Sequence, residues 1–433
     1  MSAALSPFVA SLLAHDLPPA EPTWLRQARR AQRDAFAADG LPTTRMEGWR
    51  YTAALRALAQ RRFGIDAQAA TRALTPELLG LPAPRGPRLV FLHGVFRADL
   101  SALDDLPPGL RVSTLAQDLA RGDDESWRPT FGQVHAGAGD AFWRLNAASA
   151  LDGLHLRVDA GARIAPPVEL VFAGMPAEGD AAWHARQCIV LGEGATLTLV
   201  ERHLAAGTNA HLGTLLSDVA LHARARLHLL TVQDAAATAT LLRRTQLRVE
   251  AQAQAQLHAL ELGGALARHE LQVELLGAAA EVRSAGAFVP NGRQHIETAL
   301  AIAHRARDTV SQSHWRGIAD GRARGVFRGA ILVAAGADGS AAALSNKNLL
   351  LSADAEIDTR PELEIHADEV KAAHGATVGQ LDERALFYLR SRGIPLAQAR
   401  ALLTAAFCQG VFDDIADVAL REALRAPLAA RLP

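Results

Sequence analysis

Six stretches of this chain superimpose on one another: GARIAPPVELVF, GATLTLVERH, ARARLHLLTVQ, AQAQLHALEL, GRARGVFRGAILV and GSAAALSNKNLLLS. Each opens on a small-residue corner and continues as an alternation of apolar and polar residues, and the clearest copies stand on the order of 25–35 residues apart. A repeat of that length is one coil of a solenoid. The corner must turn tightly, which favours Gly and then Ala, while inward Leu, Val and Ile stack on their equivalents in the next coil. A parallel β-helix from about Leu151 to about Val378 meets both demands. A β-sandwich is the structural alternative, but it would place Asn-Gly or Asp-Gly hairpin turns between most strands. The few such pairs here mostly miss the repeating corners.

The flanks have a different texture. Before about residue 150, TWLRQARRAQRDAFAADG and DAFWRLNAASAL show helical spacing, with the strand-like RLVFLHGVF between them. After Gln380 the period lengthens again: DERALFYLRSRGIP, PLAQARALLTAAFCQG and DDIADVALREALRAPL read as three helices, the first closed by Gly393 and the second begun by Pro395. The expected layout is a mainly β protein with a largely helical N-terminal region over 1–150, a parallel β-helix over 151–380 and a helical region over 381–433. The stripe formed by Leu386, Leu389, Leu402, Leu403 and Phe407 exceeds what a short helical pair can bury for itself, so part of it should dock on a partner.

Composition removes several functions. With 433 residues, 49% of them hydrophobic, the chain can bury a large core, and a net charge of −1 gives no broad basic surface for nucleic acid. No apolar run approaches the roughly 20 residues a bilayer span requires, so a soluble chain is expected. The opening MSAALSPFVASLLAHDLPP lacks the positive segment of a signal peptide, and Leu5, Phe8, Val9, Leu12 and Leu13 predict a short amphipathic helix there. Cys188 and Cys408 are the two cysteines and form no CxxC, which argues against a disulfide framework or a thiolate cage and for a reducing, cytoplasmic setting. Each reads as a small buried apolar residue. No GxxxxGK[ST] loop, complete GxGxxG, HExxH or GxSxG occurs, so neither ATP binding nor a common hydrolase is expected of this chain.

One histidine stands apart. In VKAAHGATVG, His374 sits among Ala372, Ala373, Gly375 and Ala376, which leave the ring uncrowded. A metal ligand, a catalytic base and a packed core residue all remain open for it. His366, with Glu362, Glu364 and Asp368 nearby, could share a metal-binding strand face, but an acidic face lapped by water has the same pattern and is the favoured reading.

Residues 345–394, SNKNLLLSADAEIDTRPELEIHADEVKAAHGATVGQLDERALFYLRSRGI, resemble almost continuously the C-terminal signature of the SufB/SufD family of iron–sulfur cluster assembly proteins. RMEGWRYT, with Trp49, Arg50 and Tyr51, is similar to the family's EEW(K/R)YT hook. The likeness is to the SufD branch, because the SufB branch is usually longer, richer in cysteine and carries a glutamate-bearing HEA-type segment where this chain has AAHGATVG. The resemblance implies a right-handed parallel β-helix, a SufB-like partner, and a SufC-like ABC ATPase bound to the C-terminal helices and supplying ATP hydrolysis. It implies no catalysis by this chain and no stably bound cofactor, only a transient iron–sulfur cluster or iron in the complex. His374 matches a histidine at the interface between the two scaffold subunits, close to a partner cysteine. The isolated chain could also form a homodimer.

The chain departs from the family pattern at Ala372, where many members have a cysteine in VKCSHGA. A site built on this chain alone would lack the soft ligand that iron–sulfur chemistry favours, so His374 would need ligands from a partner. Two rivals remain: a homodimeric β-helical scaffold without metal delivery, and a β-helical carbohydrate-active enzyme. The second needs aromatic platforms, and 5% aromatic residues supply no such stripe.

Overall fold

Thr240 pairs in parallel with Leu266, 26 residues on, and Asp152 with Ala185, 33 residues on; successive coils from Asp152 onward keep offsets within these limits. The computed structural model describes residues 5–15, 21–66, 68–132 and 140–432. In it the expected parallel β-helix makes about eight turns, with 39% of residues in strands and 24% in helices. Strands alternate between a ten-stranded and a nine-stranded sheet, which end at Lys371–Gly379 and Glu356–Ile365. At the other end Arg88–Leu92 pairs antiparallel with Val95–Phe96, and Leu110–Thr114 antiparallel with Asp152–Val158.

Inward side chains stack by identity of position. Leu191, Leu221, Val249 and Leu275 are successive register partners and each is fully buried. Each such side chain contributes about 1.5–3 kcal/mol of transfer free energy, and the repetition down the axis makes the coils cohere.

The corners differ from the expected Gly and Ala rule. Gly161, Gly194, Arg224, Gln252, Ala279, Asp308 and Gly339 form one column, all left-handed with φ from 58° to 77°. Each donates its N–H to a carbonyl one coil further on, as Arg224 does to Ala251 and Gln252 to Ala278. The left-handed conformation costs an ordinary residue about 1–2 kcal/mol. The interlocked bonds hold it in place, so Arg, Gln and Asp are tolerated where glycine was expected.

Two helical regions each cover part of an outer face. The predicted N-terminal helix runs Pro7–Leu13, capped by the Ser6 side chain, and buries Phe8, Val9 and Leu12; residues 1–4 and 16–19 of that stretch lie outside the described residues. With Phe36, Trp49, Phe142 and Trp143 it packs on Leu212, Leu216, Leu242 and Leu266 of the nine-stranded sheet. On the ten-stranded sheet, Leu230, Leu260 and Ile318 receive Cys408, Phe412, Ile415 and Leu424 of the C-terminal region. The C-terminal helices are Glu383–Ser391, Leu396–Gln409 and Val418–Arg431. Pro395 is the N-cap of the second rather than its first residue. The third starts five residues after the expected Asp413, because Asp417 caps it by accepting the N–H groups of Ala419 and Leu420.

Candidate functional site

Helices cover part of each outer face of the solenoid, whereas the end of the last coil is left open. Strands Glu356–Ile365 and Lys371–Gly379 each have a hydrogen-bonded neighbour on one side only among the described residues. Ile365 and Val378 are 40% and 42% exposed there. Unpaired strand edges with exposed aliphatics are a template for another chain.

His374 lies in this opening. It is the register partner of buried Leu344, and Ala372, two residues before it on the same strand face, packs against the core. The imidazole therefore stands on the inward face of the coil, exposed because nothing follows it. Beneath it the lumen becomes polar. Asn348 donates to the Asn346 side chain (2.6 Å) and to the Thr377 carbonyl (3.0 Å), and Thr359 Oγ1 donates to Asn346 Oδ1 (2.8 Å). These amides are satisfied among themselves, whereas His374 has no hydrogen-bond partner among the described residues. In the chain by itself the His374 ring is exposed rather than packed.

The other sequence candidates separate. His366 and Asp368 fall in the turn after the strand rather than on it, and His366 pairs with Glu364 at 2.7 Å in open solvent. Glu362 pairs with Arg360 at 2.6 Å. Among the described residues no group of three His, Cys, Asp or Glu is arranged to hold a metal ion. Cys188 lies beside Trp127 and Phe131, and burial pushes its thiol up to about 11; Cys408, fully buried against the ten-stranded sheet, is pushed up to about 12. Both are inert apolar fillers at neutral pH.

The hook motif is a strap. Glu47–Trp49 forms a short 3-10 turn on the outer face of the nine-stranded sheet, with buried Trp49 under the Arg268 guanidinium (4.1 Å to the ring centroid). Thr52 Oγ1 donates to Glu297 at 2.7 Å, and Arg268 is bound by both Glu270 and Glu297. Glu47 reaches Arg360 in the last coil, so the strap touches the open end.

The C-terminal stripe divides by exposure. Leu386 is buried, Leu389, Leu403 and Phe407 are half-buried, and Leu402 is 53% exposed. Phe387 and Tyr388 are 74% and 55% exposed, and Leu396 joins them. The first two helices form a hairpin tethered to the solenoid by Arg400, which donates to the Leu351 carbonyl (2.8 Å).

Sequence reading missed a charged section inside the lumen. Glu201 and His203 (2.7 Å apart), Gln187, Arg243, Glu261 and His269 are all inward and buried. Burial alone would raise the carboxyls, but His203 and Arg243 around Glu201, and Arg243 and His269 around Glu261, hold both down at about 2. Burial lowers the imidazoles of His203 and His269.

The SufBD core domain of iron–sulfur cluster assembly systems matches residues 174–407, and the SufBD N-terminal region matches residues 16–170. The chain belongs to the SufBD family. The iron–sulfur cluster assembly protein SufD of Escherichia coli is 30% identical over 397 residues, covering 91% of this chain and 90% of the relative. A SufBD family protein of Synechocystis is 30% identical over 419 residues, 94% and 90% of the two chains. One from Mycobacterium tuberculosis is 30% identical over 330 residues, covering 73% and 79%. Among the described residues no helix is long and apolar enough to cross a membrane.

Proposed function

We propose that this SufBD protein is the SufD-like, non-catalytic scaffold subunit of a SufBCD-type complex in a reducing cytoplasm, and that it assists the assembly of nascent iron–sulfur clusters. The observation that carries this reading is the unpartnered imidazole of His374 in the uncapped last coil. A single imidazole is a borderline ligand for iron and cannot complete its coordination, so the remaining ligands come from a SufB-like subunit docked end to end, with the cluster as cargo rather than resident cofactor. The placement of the two cysteines supports this division: Cys408 is buried against the ten-stranded sheet and Cys188 is half-buried beside Trp127 and Phe131, so neither thiol lies at the opening. A SufC-like ABC ATPase docks on the hairpin Glu383–Gln409 and supplies the ATP hydrolysis for which the sequence holds no phosphate loop.

The test is co-expression with SufB-type and SufC-type subunits, with copurification and cluster content read on wild type and His374→Ala. A complex that forms with both chains but loses its cluster on the substitution supports the reading. Unchanged cluster content removes the ligand role, and failure to copurify returns the chain to a homodimeric scaffold.

A further inference from the structure

Away from the last coil, the outer face of the ten-stranded sheet carries a groove of about 360 Å³ floored by strands Thr196–Ala205, Arg226–Gln233, Gln254–Glu261 and Glu281–Phe288. Register sets its outward side chains in two rows: Thr196, Arg226, Gln254 and Glu281 in one, Thr198, His228, Gln256 and Arg283 in the next. Glu281 is already engaged by Arg283 (2.7 Å) and by the Gln254 amide (3.3 Å). Arg226 is exposed and has no carboxylate partner among the described residues, so two guanidiniums face one carboxylate and the groove is positive.

His228 is fixed from behind by a relay. Its Nε2 lies 2.9 Å from His258 Nδ1, and His258 Nε2 lies 2.9 Å from Asp414 Oδ1, in a second cleft that shares Arg283 with the groove. The bond from His258 holds Asp414 below the usual carboxylate range, so this side chain is ionised and can only accept. His258 must then carry its proton on Nε2 and accept at Nδ1, which obliges His228 to donate from Nε2. Burial and the neighbouring His258 imidazole lower His228 to about 4, so at neutral pH its ring is uncharged. The remaining lone pair is on His228 Nδ1, which has no hydrogen-bond partner among the described residues. An occupant must therefore meet two opposite demands: negative charge towards Arg226, the Thr196 and Thr198 hydroxyls and the Gln256 amide, and one proton to give to His228 Nδ1. Inorganic phosphate at neutral pH is an anion that retains a P–OH, whereas sulfate has the same shape and no proton to give. We propose that this groove is a binding site for hydrogen phosphate, told apart from sulfate by the tautomer that Asp414 imposes on His228 through His258. With sulfate, the Nδ1 lone pair would face an oxygen lone pair, and a site that leaves such a group unpaired rejects the ligand.

The experiment titrates the full-length chain, labelled with nitrogen-15 in histidine, with sodium phosphate and in parallel with sodium sulfate, at neutral pH and constant ionic strength. Ring-nitrogen resonances are followed by NMR, and His228→Asn identifies those of His228. The free chain should show His228 protonated on Nε2, and phosphate should shift its Nδ1 resonance to saturation with an affinity at least about tenfold above that of sulfate. Asp414→Asn, whose amide can donate to His258 as well as accept from it, should allow both rings to invert and bring the two affinities together. Arg226→Gln should weaken both anions while leaving the tautomer as it was. Melting temperatures check the fold of each variant, and if Asp414→Asn folds poorly, the wild-type tautomer, the wild-type preference and Arg226→Gln still decide. A His228 protonated on Nδ1, equal affinity of the wild type for the two anions, or no shift with either overturns the proposal and leaves the relay as a clasp between the sheet and the C-terminal region.

Discussion

His374 is stacked in register on Leu344, yet Leu344 is 3% exposed and His374 lies open to solvent. The two side chains occupy equivalent positions in consecutive coils. Only the absence of a further coil distinguishes them, so the position that buries leucine one step earlier presents an imidazole at the end.

That difference separates fold from function. His374→Ala removes no buried contact and no hydrogen bond, so its stability should stay within about 0.5 kcal/mol of wild type while cluster content of the complex collapses. Leu344→Ala, one coil inward, should lose about 2–5 kcal/mol. Thermal unfolding of the two variants side by side checks the pair; a His374→Ala loss as large as that of Leu344→Ala would show that the imidazole is packed.

The corner column yields a second expectation. A methyl group on Gly194 would meet nothing within 4 Å, so Gly194→Ala isolates the cost of the left-handed backbone and should destabilise by about 1–2 kcal/mol. Gln252→Gly, at φ 58° in the same column, relieves that strain and should be neutral or stabilising. Urea midpoints with unchanged slopes would verify both signs.

These two sites also show what the sequence could reveal. The coil period was legible because inward aliphatics recur at one position per coil, as in Leu191, Leu221, Val249 and Leu275. The exposure of His374 was legible for a different reason, since Ala372, Ala373, Gly375 and Ala376 leave its ring uncrowded. Arg224 and Asp308 were not recognisable as corner residues, because interlocking coils impose a conformation that their own propensity opposes. Glu201 and His203 occupy the apolar phase of TLVERH, where alternation alone reads charge as outward-facing; only their mutual pairing with Gln187 and Arg243 permits burial. On the C-terminal hairpin a helical stripe could be counted, but which of its residues are covered depends on how the two helices cross.

Acid should unfold the protein in two stages. His184, His93 and His304 are fully or largely buried, and burial lowers them to about 3, 4 and 4 from an ordinary value of 6.5. A lowered folded-state pKa means the unfolded chain binds the proton more readily, so this stability is complete above pH 6.5 and drains away as pH falls towards 4. Glu201, Glu261 and Glu297, held at about 2 from 4.5, follow the same sign in a lower window, with stability lost between about pH 4.5 and 2. Melting temperatures should therefore be highest near neutrality and fall first below pH 6.5. His304→Asn, which retains hydrogen bonding towards Thr309 and Ser311 without titrating near neutrality, should flatten the upper stage.

The ATPase-docking reading turns on exposure. Leu386 is buried and holds the hairpin together, so Leu386→Asp should loosen these helices and lower stability by several kcal/mol, a failure of folding that says nothing about binding. Phe387, Tyr388 and Leu402 contribute little to the isolated chain because more than half of each is open to water. If the hairpin is the dock, these exposed rings and the exposed leucine are the anchors that become desolvated on binding, where truncating one aromatic side chain typically costs about 2 kcal/mol or more. Phe387→Ala with Leu402→Ala should thus leave the melting temperature unchanged and weaken a SufC-like ATPase at least about tenfold, 1.4 kcal/mol per decade. Calorimetric titration of the ATPase into the double variant decides it. Wild-type affinity would move the dock away from the hairpin, and a parallel loss of stability would show that these side chains pack within the chain rather than against a partner.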